Sequence, residues 1–386
     1  MNRRFPWTMA AAALLLMASR FAAHAELLIS ANDGKAVLIN GLNTVPDNPV
    51  PDSVTIINLA TTSPKVIAEI QMPTSLVGPP SSVAIAHDES FALVTAATKI
   101  DPADKKKLVP NNIVSVVDLQ ASQPKVIATQ EAGAGASGVA INRAGTLALV
   151  ANRMEGSVSV FTIAGKTLTP AGKIQLDNAK SGPSTVAFTP DGKRALVTRD
   201  GDSRITMLTV DGSTVTLSGR DIFAGLKPYG AGISPRGDFA VVTNVGMGGG
   251  DADTMSLIDL TATPPRVVDT VTVGPSPESM TIAPDGKHIA VTVINGTTKP
   301  ADSPFHNDHG RMPVFEVRGM KLVKLTEAPI GRWCQGVAWN KSSTLILMQC
   351  IVEKEIEMFR FDGKKATPAG VIKVNGGPAG IATTPP

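Results

Sequence analysis

Along most of the chain, apolar and polar positions alternate in short runs, and the runs return in a fixed order. Two or three apolar residues lead into a polar turn of the Pro-Asp-Gly kind, and a second run resembling Ala-Leu-Val-Thr follows. The copies are SSVAIAHDESFALVTAA from Ser81, SGVAINRAGTLALVANR from Ser137, STVAFTPDGKRALVTRD from Ser184, YGAGISPRGDFAVVTNV from Tyr229, ESMTIAPDGKHIAVTVI from Glu278 and QGVAWNKSSTLILMQCI from Gln335. ELLISANDGKAVLINGL from Glu26 is a weaker seventh copy. A period of two marks strands, and Asp-Gly turns between such runs mark hairpins. The second strand of each hairpin is expected to begin near Ala36, Phe91, Leu147, Arg194, Phe239, His288 and Leu345, an interval of about 45 to 57 residues.

Each hairpin is followed by a third apolar run, among them SVTIINL, IVSVVDL, SVSVFTI and TMSLIDL, and most by a fourth, such as KVIAEI, KVIATQ, RVVDTV and GVIKV. Four short strands repeated seven times predict an all-β fold, a seven-bladed β-propeller of four-stranded blades over 26–386. GPAGIATTP, from Gly377 to Pro385, opens an eighth unit and stops. It is expected to complete the first blade and close the ring, with AVLIN at Ala36 as its continuation. ELLIS either competes for that innermost slot or adds beside it.

LVTA, LVAN, LVTR and VVTN, each in the same place after the turn, resemble the YVTN-type β-propeller repeats of secreted bacterial proteins. Those repeats are similar to parts of the lactonase-type and quinoprotein amine dehydrogenase heavy-chain propellers. The resemblance covers nearly all of the chain after residue 25 and implies the fold. It carries no active-site residue with it, because the shared motifs are not catalytic and one fold hosts many chemistries.

Composition agrees with short strands and tight turns: 35 Gly, 29 Pro and only 4% aromatic residues. The first 25 residues read as a secretory signal, with Arg3 and Arg4 at the start, an apolar run from Met9 to Ala18, and Ala23-His24-Ala25 as the cleavage site. The protein is therefore expected in the periplasm or outside the cell, without a membrane span and as a monomer. Without Arg3, Arg4 and Arg20, the 36 basic residues fall to 33 and equal the 33 acidic ones. That balance argues against nucleic acid as a partner.

In such blades, the loops between the second and third strands share a face, here called upper, with the crossovers between blades. The long loops GLNTVPDNPVPD, TAATKIDPADKKKLVPNN, NVGMGGGDAD and INGTTKPADSPFHNDHGR all fall there, whereas NRMEGS and RDGDS are short. Long loops on a rigid scaffold are the usual place for binding groups. The residues after the crossover prolines, or their equivalents, are Ser81, Ser137, Ser184, Tyr229, Glu278, Gln335 and Ala379. By symmetry they ring the upper mouth of the central channel. The six polar ones suit a small polar ligand, or a channel filled by water. Among them, Glu278 and Tyr229 are the candidates for catalysis.

Cys334 and Cys350 face each other across the hairpin of the last blade, which predicts a disulfide worth about 3 kcal/mol. SPFHNDHGRMP, from Ser303 to Pro313, carries His306, His309 and Asp308, donors suited to a divalent metal such as zinc, copper or manganese. Asp302, and Asp251 and Asp253 of the neighbouring loop, are within possible reach of it. A gating or partner-contact loop is the other reading.

No GxSxG or HExxH motif is present, nor a CxxCH for covalent haem. The first expectation is thus a propeller that binds a polar ligand or a periplasmic protein on its upper face without chemistry. One alternative is a lactonase-like hydrolase or isomerase at the channel mouth. Another, resting on the resemblance alone, is an accessory of a periplasmic quinoprotein or redox system.

Overall fold

The computed structural model describes residues 26–61 and 63–385; the expected signal segment lies outside them. Seven four-stranded antiparallel sheets stand around a common centre, six of them with their strands in chain order from the inside outwards. Blade three shows the pattern: Ala136–Ile141, Leu147–Asn152, Ser157–Ala164, Thr167–Gln175. Blade one is completed by the end of the chain. Gly377–Thr383 is its innermost strand, followed by Leu27–Asp33, Ser53–Asn58 and Lys65–Gln71. Thus the ring closes as the sequence implies.

The core lies between blades. Phe91, Leu93 and Val116 of blade two pack with Val139, Val150 and Phe161 of blade three. Trp339 and Phe361 of blade seven meet edge-on at 5.3 Å and pack on Ala290 and Met312 of blade six. Middle strands such as Leu147–Asn152 and Phe239–Asn244 are buried along their whole length because both of their faces are covered by neighbouring blades.

The repeat residues have separate duties. In blades two, four and six the threonine of Val-Thr donates across to the innermost strand of the next blade: Thr95 to the Ser137 carbonyl, Thr198 to Tyr229 at 2.7 Å, Thr292 to Gln335 at 3.2 Å. In blade seven, Gln349 takes that place and donates to the Gly380 carbonyl at 2.9 Å, which ties the last blade to the first. The asparagine that follows binds the third strand of its own blade, as Asn152 Nδ2 does at Ser157 and Ser159 Oγ, 2.8 and 2.9 Å.

Blade one corrects the sequence reading. AVLIN is not a blade strand. Val37–Ile39 pairs with Leu42–Thr44 in a small separate hairpin, with Ile39 and Leu42 exposed. The second strand is Leu27–Asp33, buried along its whole length and paired on one side with Gly377–Thr383 and on the other with Ser53–Asn58. Asn32 fills the repeat-asparagine position and donates to Ser53 and Thr55. Asp33-Gly34-Lys35 therefore sits at the upper end of a strand, where it builds an ion cluster instead of a hairpin turn. Lys35 Nζ lies 2.9 Å from Asp33 Oδ2, 2.8 Å from Asp52 Oδ2 and 2.6 Å from the Thr74 carbonyl. Gly34 is needed there because a Cβ would lie 2.3 Å from the Val50 carbonyl oxygen.

Candidate functional site at the upper channel mouth

The two ends of the channel differ. At the lower end, Ile85, Ile141, Phe188, Ile233 and Ile282 line a mostly apolar cavity of about 380 Å³. The upper ends of the innermost strands carry the polar residues expected from the repeat, but the structure sorts them into two groups.

On one side, the crossover from blade one to blade two, residues 73–80, runs over the mouth. Leu76 is buried against Ala36, Ala379 and Ile351. Gln335 Nε2 reaches the Gly78 carbonyl at 2.9 Å. A Cβ on Gly78, whose φ is 108°, would lie 2.3 Å from Ser137 Oγ. Ser137 Oγ is buried without a hydrogen-bond partner, and Ser81 Oγ is engaged with Thr185 Oγ1 at 3.2 Å. Ser81, Ser137 and Ala379 are therefore covered or crossed, and do not form an open ring with the others.

On the other side, blades three to six bring together a charged group. Arg153 holds Asp200 through two bonds of 2.6 Å, from Nη1 to Oδ1 and from Nη2 to Oδ2. Ser184 Oγ donates to Asp200 Oδ1 at 2.8 Å and accepts from Arg153. The Arg153 guanidinium lies 5.4 Å from the centre of the Tyr229 ring. Glu278 stands beside Gln335, whose Nε2 is 3.4 Å from Oε2.

Burial sets the electrostatics. Desolvation pushes the Glu278 carboxyl up to about 7, against the lowering effect of Gln335 and Arg153. Desolvation also raises the buried Tyr229 phenol far above its ordinary range, so it stays protonated and can donate. Burial disfavours the Arg153 cation, yet the surrounding oxygens of Tyr229, Asp200 and Glu278 outweigh this and hold its pKa above the ordinary value. The group thus offers a carboxyl that exchanges its proton near neutrality, a fixed cation and a phenol donor.

Sequence reasoning named Ser184, Tyr229, Glu278 and Gln335 but missed Arg153 and Asp200, which sit on two of the three shortest upper loops. A signal was available. Both follow directly on a second strand, where blades five, six and seven have Val245, Ile294 and Ile351.

The remaining candidates lie apart from this group. Cys334 and Cys350 are bonded to each other, directly opposed in the strand register, and flank Gln335. In the blade-six loop, His306 Nδ1 is 2.9 Å from the Lys299 carbonyl and Nε2 is 3.4 Å from Asp308 Oδ1, while the His309 carbonyl accepts from Asn295 at 2.9 Å. Asp253 is engaged with the Ser276 amide at 2.8 Å. Among the described residues, no three His, Cys, Asp or Glu side chains converge as a metal ion would require. No helix among them is long and apolar enough to cross a membrane.

A family model described as lactonase, seven-bladed β-propeller, matches residues 111–228, the stretch from blade two to the start of blade five that contains Arg153 and Asp200. No curated protein matches the chain. Among solved structures, a putative 6-phosphogluconolactonase from Bacteroides uniformis is 17% identical with a TM-score of 0.71, over 93% of this chain and 99% of its own. A periplasmic gluconolactonase from Pseudomonas aeruginosa is 13% identical with a TM-score of 0.65, over 93% and 98%. A functionally unknown protein from Desulfotomaculum acetoxidans is 16% identical with a TM-score of 0.69, over 93% and 99%. At these identities the structural likeness establishes the fold. The family match, over less than a third of the chain, adds a likeness to the lactonase-type propellers within those blades.

Proposed function

We propose that the protein hydrolyses a cyclic ester at the upper channel mouth, with Glu278 as general base and Arg153 and Tyr229 as the groups that receive the carbonyl oxygen. The observation that carries this reading is the partly buried Arg153–Asp200–Tyr229–Glu278 group, in which a carboxyl pushed up to about 7 faces a fixed cation. The lactonase family match and the gluconolactonase neighbours support the hydrolytic reading over binding without chemistry.

In this mechanism, ionised Glu278 takes a proton from water as the oxygen adds to the lactone carbonyl carbon. Negative charge develops on the carbonyl oxygen, where the Arg153 cation and the Tyr229 hydroxyl stabilise it without reorganising. Asp200 and Ser184 keep the guanidinium in one plane. Collapse of the tetrahedral alkoxide breaks the bond to the ring oxygen, and the protonated Glu278 returns its proton to that leaving oxygen. The product is the open hydroxy acid. A general base works best when its pKa lies near the working pH, as burial arranges here. The test is pH-stat titration of acid release from a panel of γ- and δ-lactones, corrected for spontaneous opening. Turnover that disappears in Glu278→Gln and falls in Arg153→Met is expected; turnover unchanged in both variants would remove the reading.

A further inference from the structure

Each innermost strand ends at the lower mouth, and six of the seven end on a large apolar residue: Ile85, Ile141, Phe188, Ile233, Ile282 and Trp339. Trp339 is turned into the wall, where Nε1 donates to the Thr281 carbonyl at 3.1 Å and the ring meets Phe361 edge-on. Ile141, Phe188, Ile233 and Ile282 stay half-buried and line the cavity of about 380 Å³, which Pro190, Pro235 and Pro385 extend. A channel that merely held water would be served by polar residues at this level. Apolar surface left wet in a concavity favours whatever displaces the water.

The hydroxyl and amide side chains of the lining are already engaged. Asn142 Oδ1 accepts from the amides of Thr146 and Leu147 at 2.9 and 3.0 Å, and Nδ2 donates to Thr146 Oγ1 at 3.1 Å. Thr189 Oγ1 donates to Asp191 Oδ1 at 2.6 Å and accepts from the Arg194 amide at 3.1 Å. Ser234 Oγ donates to Asp238 Oδ1 and accepts from the Asp238 amide at 3.2 Å. These bonds hold the lower hairpin turns and leave the three side chains little to offer a ligand. Arg143 differs. It stands exposed on the turn of blade three, lines the cavity and has no carboxylate partner among the described residues. His87 stands on the same rim. The concavity thus has apolar walls and a cation at its edge.

We propose that the lower mouth is a second binding site, for a small monocarboxylate with an apolar body. The body lies between Ile141, Phe188, Ile233 and Ile282, and the carboxylate meets Arg143. At about 30 Å³ for a water-sized group, the cavity has room for roughly a dozen such groups, which fits an acid of about eight to ten carbons. The site lies at the opposite end of the channel from Glu278 and is independent of the hydrolytic reading.

The experiment is isothermal titration calorimetry of the purified protein with butyrate, hexanoate and octanoate, and with octanamide as the uncharged counterpart. Octanoate is expected to saturate one site, with affinity rising about threefold to fourfold per added methylene across the series. Octanamide should bind about twofold to fivefold less tightly than octanoate, as loss of one exposed ion pair does. Arg143→Gln should erase that preference, Ile233→Gln should flatten the dependence on chain length, and Glu278→Gln should change neither. Arg143 is exposed on a turn, so its variant tests the carboxylate contact whatever Ile233→Gln does to folding. Absence of binding, equal affinity for octanoate and octanamide, an unaltered preference in Arg143→Gln, or loss of octanoate binding in Glu278→Gln overturns the proposal.

Discussion

The upper mouth has two halves built from the same repeat, and each buries a carboxyl beside a cation. In the half made by blades seven, one and two, Asp33 accepts from the amides of Lys35, Ala36 and Leu76 at 2.9, 3.1 and 2.8 Å and from Lys35 Nζ at 2.9 Å. Burial raises its pKa, but its oxygens are saturated and its task is to seat the crossover that covers the mouth. In the half made by blades three to six, Glu278 accepts one long side-chain hydrogen bond, 3.4 Å from Gln335 Nε2. The difference teaches that a raised pKa is not itself a sign of chemistry. A carboxyl whose hydrogen-bonding capacity is used up holds structure together, and one left short of partners has room to bind something else.

Substitutions can break this comparison from either side. The largest effect is expected from Glu278→Gln, which should lower kcat for lactone opening by about 10²- to 10⁴-fold, as loss of a general base does. Steady-state titration reads it directly. Lys35→Met should act on stability instead. It leaves Asp33 and Asp52 buried together without their cation, a loss of about 3–5 kcal/mol in denaturant unfolding.

The pH dependence sharpens the contrast. Glu278 must be ionised to act, so kcat/KM should rise with pH through about 7, and Lys35→Met should leave that limb where it is. Stability should move the other way. The folded chain holds the Glu278 proton to about 7 and the unfolded chain to about 4.5, so between those values the folded state binds more protons and loses stability as pH rises. Thermal unfolding of Glu278→Gln should therefore gain on the parent protein from pH 5 to pH 8, by about 1–3 kcal/mol. The smallest effect is expected at the inter-blade stitching, where Thr198→Val removes the bond to the Tyr229 carbonyl and should cost about 1 kcal/mol by the same unfolding assay.

The repeats made the blade number and the ring closure readable, because alternation and turn chemistry act locally and recur seven times. Blade one misled because ANDGK has the letters of a hairpin turn. What separates it from TPDGK of blade four is a long-range partner, Asp52, which local pattern does not display. Tyr229 and Glu278 were legible from their repeat position. Arg153 and Asp200 were passed over because loop length was taken as the mark of function, while the informative contrast was charge at a position that other blades fill with Val245, Ile294 and Ile351.

The shared sheet of blade one has a consequence for how the protein comes apart. In an open array of repeats, the outermost unit has one neighbour and frays first. Here Gly377–Thr383 and Leu27–Asp33 lie side by side, and Gln349 reaches across to Gly380, so every blade has two neighbours and none is terminal. Unfolding must open the ring as a whole, and amide exchange of the middle strands should slow to a common global rate all the way round instead of grading toward the chain ends.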